Sequence, residues 1–273
     1  MGKGTLISKF MLTALILVSG NSLGLISPVS ATPCAPVTPI DTKFGSAITS
    51  AIVVLLPSTT VTGSINAAGC DVGIYIGSSA TGTTVSGATV TDAKQVGVFN
   101  DGATGVTVTG STVSCTGNHG GTNTGPCTDF SPNGVQTGIG VYFSCTGTGT
   151  ISSNTINQYQ KGGITVRNLD GGTVTGNTVT GLGVVNFIAQ NGIEFGFGSC
   201  GGTVSASNVG QVTGNTVTEN HYNGNGGRAP PPFISTGILA QATSGSKVGP
   251  IQSALVTSNT VFRNQGNVVV IVG

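Results

Sequence analysis

The chain has 273 residues, 46 of them glycine, with only 6 % charged and a formal net charge of +1. Charge this sparse leaves no basic field to hold nucleic acid or an anionic membrane surface. Valine and isoleucine recur in register, which separates the chain from a disordered Gly/Ser/Thr tract.

The first 31 residues read as an export signal. Lys3 and Lys9 supply the positive end, residues 10–18 (FMLTALILV) the apolar run, and Val29-Ser30-Ala31 the small residues before a cut at Thr32. That run is too short to cross a hydrocarbon core of ~30 Å, so no stable membrane span is expected in the mature chain. The organisation expected is a signal at 1–31, an N-terminal segment or cap at 32–59, and a repeat domain at 60–273. Within the cap, residues 46–56 (SAITSAIVVLL) suit either a first apolar rung or a short capping helix.

A short phrase then recurs: VSGATV, VTGSTV, ISSNTI, VTGNTV, VTGNTV and VTSNTV, starting at 85, 108, 151, 174, 212 and 256. The starts lie 23, 43, 23, 38 and 44 residues apart, a 23-residue period interrupted by insertions. Such a period marks a solenoid, whose turns bury their apolar faces only against neighbouring turns. A second phrase sets glycine before an alternating apolar strand at 71–77, 96–102, 139–145, 162–168, 191–197 and 236–242. One coil reads from Ile164 through a turn at 169–172, the strand Thr173-Val174-Thr175, the corner Gly176-Asn177 and the strand Thr178-Val179-Thr180. Three short strands and three corners predict an all-β fold, a single-stranded right-handed parallel β-helix with coils of 23 residues and loop insertions. A hairpin-rich sandwich would not produce the recurring interval.

Alternation assigns the faces. Val85, Val108, Ile151, Val174, Val212 and Val256 should point inward, with Val90, Val113, Ile156, Val179, Val217 and Val261. Thr107, Thr109, Thr173, Thr175 and Thr213 should point outward as a neutral hydroxyl-rich face. Asn154, Asn177, Asn215 and Asn259 share one phase, with Ala88 and Ser111 in earlier copies, and should stack as an internal ladder. Loops are expected near 115–135, 181–191, 198–210, 221–235 and 242–252. Residues 267–273 (NVVVIVG) read as a strand without a polar cap, an edge that invites end-to-end self-association.

Six cysteines in an exported chain suggest disulfides, and six permit 15 complete pairings. Cys115 with Cys127 is the expected local staple, Cys34 with Cys70 would tether the mature N-terminus, and Cys145 with Cys200 remain by elimination. No Cys/His cluster has ligand spacing, so neither zinc nor a cofactor is expected.

The phrases GGTVTGNTVTG at 171–181 and GQVTGNTVTEN at 210–220, with the Gly-apolar phrases at 140–143, 163–166 and 192–195, resemble the right-handed parallel β-helix repeat proteins. That superfamily contains pectate-lyase-like enzymes and periplasmic copper-processing β-helix proteins. The resemblance spans residues 60–272 and implies the fold. It implies no activity, because no catalytic motif matches position by position.

A uronate lyase needs a general base and a cation, and a glycoside hydrolase needs two carboxylates about 5–9 Å apart. Asp71, Asp92, Asp101 and Asp170 read as turn or loop carboxylates. Residues 118–121 (NHGG) only partly match the histidine segment of the polygalacturonase-like branch, and His119 reads as a surface loop residue. Glu194, Arg167 and Lys161, on successive coils, form the one candidate catalytic group. The leading expectation is instead a secreted or surface-exposed structural and adhesive protein meeting polysaccharide or matrix through its threonine face. A polysaccharide lyase or glycoside hydrolase is the alternative, and a protein similar to Thr-rich ice-binding faces the second.

Overall fold

A computed structural model describes residues 33–118, 127, 130–168, 172–196, 210–224, 233–242 and 254–272. The export-signal stretch lies outside the described residues, as do His119, Asp170 and Cys200. Strands are numbered along the chain and stack into three sheets. The long sheet contains β1 (Ala35–Val37), β2 (Ile48–Val54), β5 (Val72–Gly77), β8 (Val96–Asp101), β11 (Ile139–Phe143), β14 (Gly162–Val166), β17 (Asn191–Phe195), β20 (Thr236–Ala242) and β23 (Gly266–Val272). The first threonine sheet contains β3 (Thr60–Val61), β6 (Thr84–Ser86), β9 (Val106–Thr109), β12 (Gly149–Ser152), β15 (Thr173–Thr175), β18 (Gly210–Thr213) and β21 (Ala254–Thr257). The second contains β4 (Ser64–Asn66), β7 (Thr89–Thr91), β10 (Thr112–Ser114), β13 (Thr155–Asn157), β16 (Thr178–Val185), β19 (Thr216–Tyr222) and β22 (Thr260–Phe262).

Each coil visits the three sheets in turn, and every pairing between coils is parallel, so the fold is a parallel β-helix. Equivalent valines stack: Val85 pairs with Val108, Val108 with Ile151, Ile151 with Val174 and Val174 with Val212. These side chains are at most 1 % exposed and share one core cluster with Val90, Val113, Ile156, Val179 and Val217. Burying each contributes about 1.5–3 kcal/mol, and branched side chains suit the pleated stack.

The glycine at the second position of six long-sheet strands is explained by close approach. A Cβ on Gly140 would lie 2.6 Å from both Gly163 O and Ile156 Cγ2. Gly73, Gly97, Gly163, Gly192 and Gly237 meet the same obstruction, a core valine on one side and the next coil's backbone carbonyl on the other. The second sequence phrase thus marks the start of each of these long-sheet strands, where its backbone lies closest to the core and to the next coil.

The coils end differently. At the start, β1 pairs antiparallel with β2, and Cys34–Cys70 ties it down. Of the two readings of residues 46–56, the strand is the one that forms, because β2 pairs with β5 as a first rung. At the other end, Val268 and Val270 continue interior rows yet are 52 % and 63 % exposed. Among the described residues no helix is long and apolar enough to cross a membrane.

One expected loop is partly strand. β16 runs through Val185 and pairs again with β19 after a register shift between Thr180 and Gly183, so residues 181–185 continue the sheet. Gly183, at φ 75, supplies the conformation that the irregularity needs.

Candidate functional site

The two threonine sheets meet at a corner of two residues in each of the seven coils: 62–63, 87–88, 110–111, 153–154, 176–177, 214–215 and 258–259. Insertions occur at the other two corners, as between Ser114 and Ile139 or between Phe195 and Gly210. Gly87, Gly110, Gly176 and Gly214 have φ of 58–66, and Ser153 and Ser258 each have φ 56, so the first residue of the corner is left-handed in six coils; in the first coil Gly63, the second residue, takes positive φ at 87.

The second residue of the corner turns inward. The backbone N–H of Asn154 donates to Asn177 Oδ1 at 3.0 Å, that of Asn177 to Asn215 Oδ1 at 3.0 Å, and that of Asn215 to Asn259 Oδ1 at 2.9 Å. Each Nδ2 of Asn154, Asn177 and Asn215 also donates to the next amide oxygen at 2.9 Å. Ser111 continues the ladder, donating its backbone N–H to Asn154 Oδ1 and accepting from the Ala88 N–H. These residues hold a corner; all are buried except Asn259 in the last coil, which is half-buried. A further pair, Asn220 and Asn264, repeats the arrangement, with the Nδ2 of Asn220 donating to Asn264 Oδ1 at 2.8 Å. Its sequence signal is the 44-residue spacing it shares with Asn215 and Asn259.

The corner sets the outward rows. Thr60, Thr84, Thr107, Thr150 and Thr173 stand in one row of the first threonine sheet, followed by Gln211 and Leu255. Ser86, Thr109, Ser152, Thr175, Thr213 and Thr257 form the second row. Ser152 Oγ donates to Thr109 Oγ1 at 3.0 Å, and the Thr175 and Thr213 hydroxyls are bonded at 3.2 Å. All five threonines singled out from the sequence belong to these rows and are half-buried. Sequence reading missed a third row across the corner, Thr89, Thr112, Thr155, Thr178, Thr216 and Thr260. None of these three rows contains a charged or aromatic residue.

Glu194, Arg167 and Lys161 lie elsewhere, on and beside the long sheet's outer face. An outward row there runs Tyr75, Phe99, Tyr142, Thr165, Glu194, Leu239. A strap leading out of β1 covers its first part. The backbone N–H groups of Ile40 and Asp41 donate to Asp101 at 2.6 and 2.8 Å, and the Tyr75 hydroxyl donates to Asp101 at 2.7 Å. Phe44 packs edge-on against Phe99 and Tyr142, with centroids 5.4 and 4.9 Å apart. The Tyr142 hydroxyl donates to Asp41 Oδ2 at 2.6 Å and accepts from Arg167 Nη1 at 3.3 Å.

Glu194 is 5 % exposed and accepts from Asn191 Nδ2 at 2.7 Å. Lys161 Nζ donates to the Ala189 carbonyl at 2.9 Å. Burial lowers the Lys161 pKa, partly offset by the Glu194 carboxylate. Burial likewise lowers that of Lys43 on the strap, with Glu194 and Asp41 opposing the shift and Arg167 adding to it. The three candidate residues therefore share one electrostatic neighbourhood with Lys43 and Asp41, which sequence reading did not connect to them. Tyr142, bonded to both Asp41 and Arg167, ties this neighbourhood to the strap.

The other carboxylates are also engaged. Asp71 accepts from the Thr49 backbone N–H, the Thr49 hydroxyl and Gln95 Nε2, and Glu219 pairs with Arg263 at 2.6 Å. Among the described residues no three His, Cys, Asp or Glu side chains gather as a metal site. Cys34–Cys70 and Cys115–Cys127 are bonded as expected, and Cys145 is also in a disulfide. Such bonds fit an oxidising, extracellular type of environment. No family model, curated protein or solved structure matches the chain.

Proposed function

We propose that this protein is a secreted or surface-displayed structural and adhesive member of the β-helix repeat superfamily, and that it meets neutral polysaccharide through its threonine sheets. One observation carries the reading: seven successive coils keep the corner between those sheets free of insertions, while loops enter at the other corners. The asparagine ladder holds this corner from within, and the absence of loops keeps the threonine rows on either side of it in register and uncovered. Uncharged hydroxyls and methyls in register suit many weak hydrogen bonds and apolar contacts with a hydroxyl-rich polymer. Export through the signal at 1–31 belongs to the same reading.

A lyase or hydrolase acting on acidic polysaccharide is the second reading, favoured by the shared field of Glu194 and Lys161. It is weaker because a general base must reach the proton it removes, and Glu194 is 5 % exposed. Incubating the secreted protein with insoluble cellulose, chitin and soluble pectate separates the two. Retention on a neutral polymer without sugar release is expected. Release of reducing or unsaturated sugars would establish the enzyme instead, and ice shaping without retention would favour an ice-binding surface.

A further inference from the structure

The first threonine sheet carries two outward rows that flank a line of backbone. The row from Thr84 to Thr173 stands on one side and the row from Ser86 to Thr257 on the other, separated by the inward residues Val85, Val108, Ile151, Val174 and Val212. Rows two residues apart on a strand lie about 7 Å from each other, and neighbouring rungs repeat at ~4.8 Å. The result is a shallow trough crossing the strands, with hydroxyls on both rims and no side chain on its floor.

We propose that this trough is the polysaccharide subsite, and that the ligand is an extended, unbranched, uncharged glycan chain lying along the solenoid axis. This inference rests on the adhesive reading above and gives it a direction. Three observations fix the direction. Chemistry repeats along the axis but not along a strand, which offers only two outward positions per coil. No aromatic platform stands on either rim, so a sugar ring cannot be stacked there and must be held by its edge hydroxyls. Single neutral hydrogen bonds exposed to water are individually weak, so a useful affinity needs contacts repeated over several coils by one chain.

The rims are also preset. Thr109 with Ser152, and Thr175 with Thr213, already share hydrogen bonds along the axis, so their remaining donor and acceptor sites point in a limited set of directions. The asparagine ladder beside them fixes the corner against which the second row stands. A ligand therefore orders little of the protein when it binds, which favours affinity from weak contacts.

The test uses cello-oligosaccharides of increasing length and insoluble cellulose as probes, with the secreted protein and three variants. Thr107→Lys and Thr173→Lys stand two coils apart on the same rim, and Glu194→Gln reports on the other face. Affinity is expected to rise with each added sugar until the chain spans several coils. Either lysine should weaken binding of the longest oligomer by about tenfold, one contact's worth, and should leave the shortest oligomer less affected. Both lysines together should weaken it further, with the β circular dichroism unchanged. Affinity that stops rising after two sugars, or that only one of the two lysines disturbs, would overturn the axial direction while leaving adhesion standing. Failure of the unmodified protein to bind any oligomer or cellulose would overturn the adhesive reading together with the trough.

Discussion

Asn177 shows how much one side chain can hold. Its Nδ2 donates to the Ile151 carbonyl and to Asn215 Oδ1, while its Oδ1 accepts from Asn154 twice. Asn177→Ala would leave those buried partners unsatisfied, at about 1–3 kcal/mol for each group left without a bond. Asn177→Ser should cost less, because Ser111 already serves as a rung of the same ladder. Chemical denaturation midpoints in the order wild type, serine, alanine would bear this out; equal midpoints would deny the ladder its role. Gly140→Ala tests the other recurring position. Its Cβ has nowhere to go, and a loss of about 1–3 kcal/mol is expected. The ladder could be read from sequence because its asparagines recur at one phase. The collision at Gly140 could not, since spacing reveals the glycine but not the carbonyl one coil away.

Among elements, the strap shows where sequence reading ran short. Nothing in residues 38–45 repeats, so no periodicity announces that Asp41, Lys43 and Phe44 lie across the long sheet. Asp101 is its main fastening, accepting from two strap N–H groups and from Tyr75. Asp101→Ala should free the strap, seen as early proteolytic cleavage within residues 38–46 while the coils stay protected. Unchanged cleavage would show that Phe44 and the Cys34–Cys70 bond suffice. Tyrosine ionisation gives a second check on buried packing. Burial is the first cause raising the pKa of Tyr75, Tyr142 and Tyr159 above the ordinary value of 10.0. A raised folded pKa means the native state binds more protons than the unfolded chain above pH ~10, so stability is present below that pH and falls as pH rises further. Tyrosinate absorbance from these three should appear together with alkaline unfolding. Early, gradual titration would mean that the phenols are reachable by water.

Taken whole, the molecule divides its surface between two kinds of chemistry. One group of charges gathers along the long sheet and its strap, whereas the three threonine rows carry hydroxyls beside a corner without insertions, and the Glu219–Arg263 pair stands apart from those rows at the end of the second threonine sheet. The coil architecture was legible because valine, glycine and asparagine each repeat at a fixed phase. The threonine rows of the first sheet were legible in part; the row from Thr89 to Thr260 was not, because the other outward position on those strands varies, with Ser114, Asn157 and Phe262 breaking the paired-threonine pattern. The neighbourhood of Glu194 was legible only as three residues on two adjacent coils, because its remaining members arrive from the strap, outside the repeat.

The most direct measurement is a side-by-side adsorption isotherm on cellulose for the protein carrying both Thr107→Lys and Thr173→Lys and for the Glu194→Gln variant. The paired lysines should abolish most retention, and the glutamine should leave it intact. Retention that survives the lysines and disappears with the glutamine would place the contact on the long sheet, contrary to everything proposed for the threonine face.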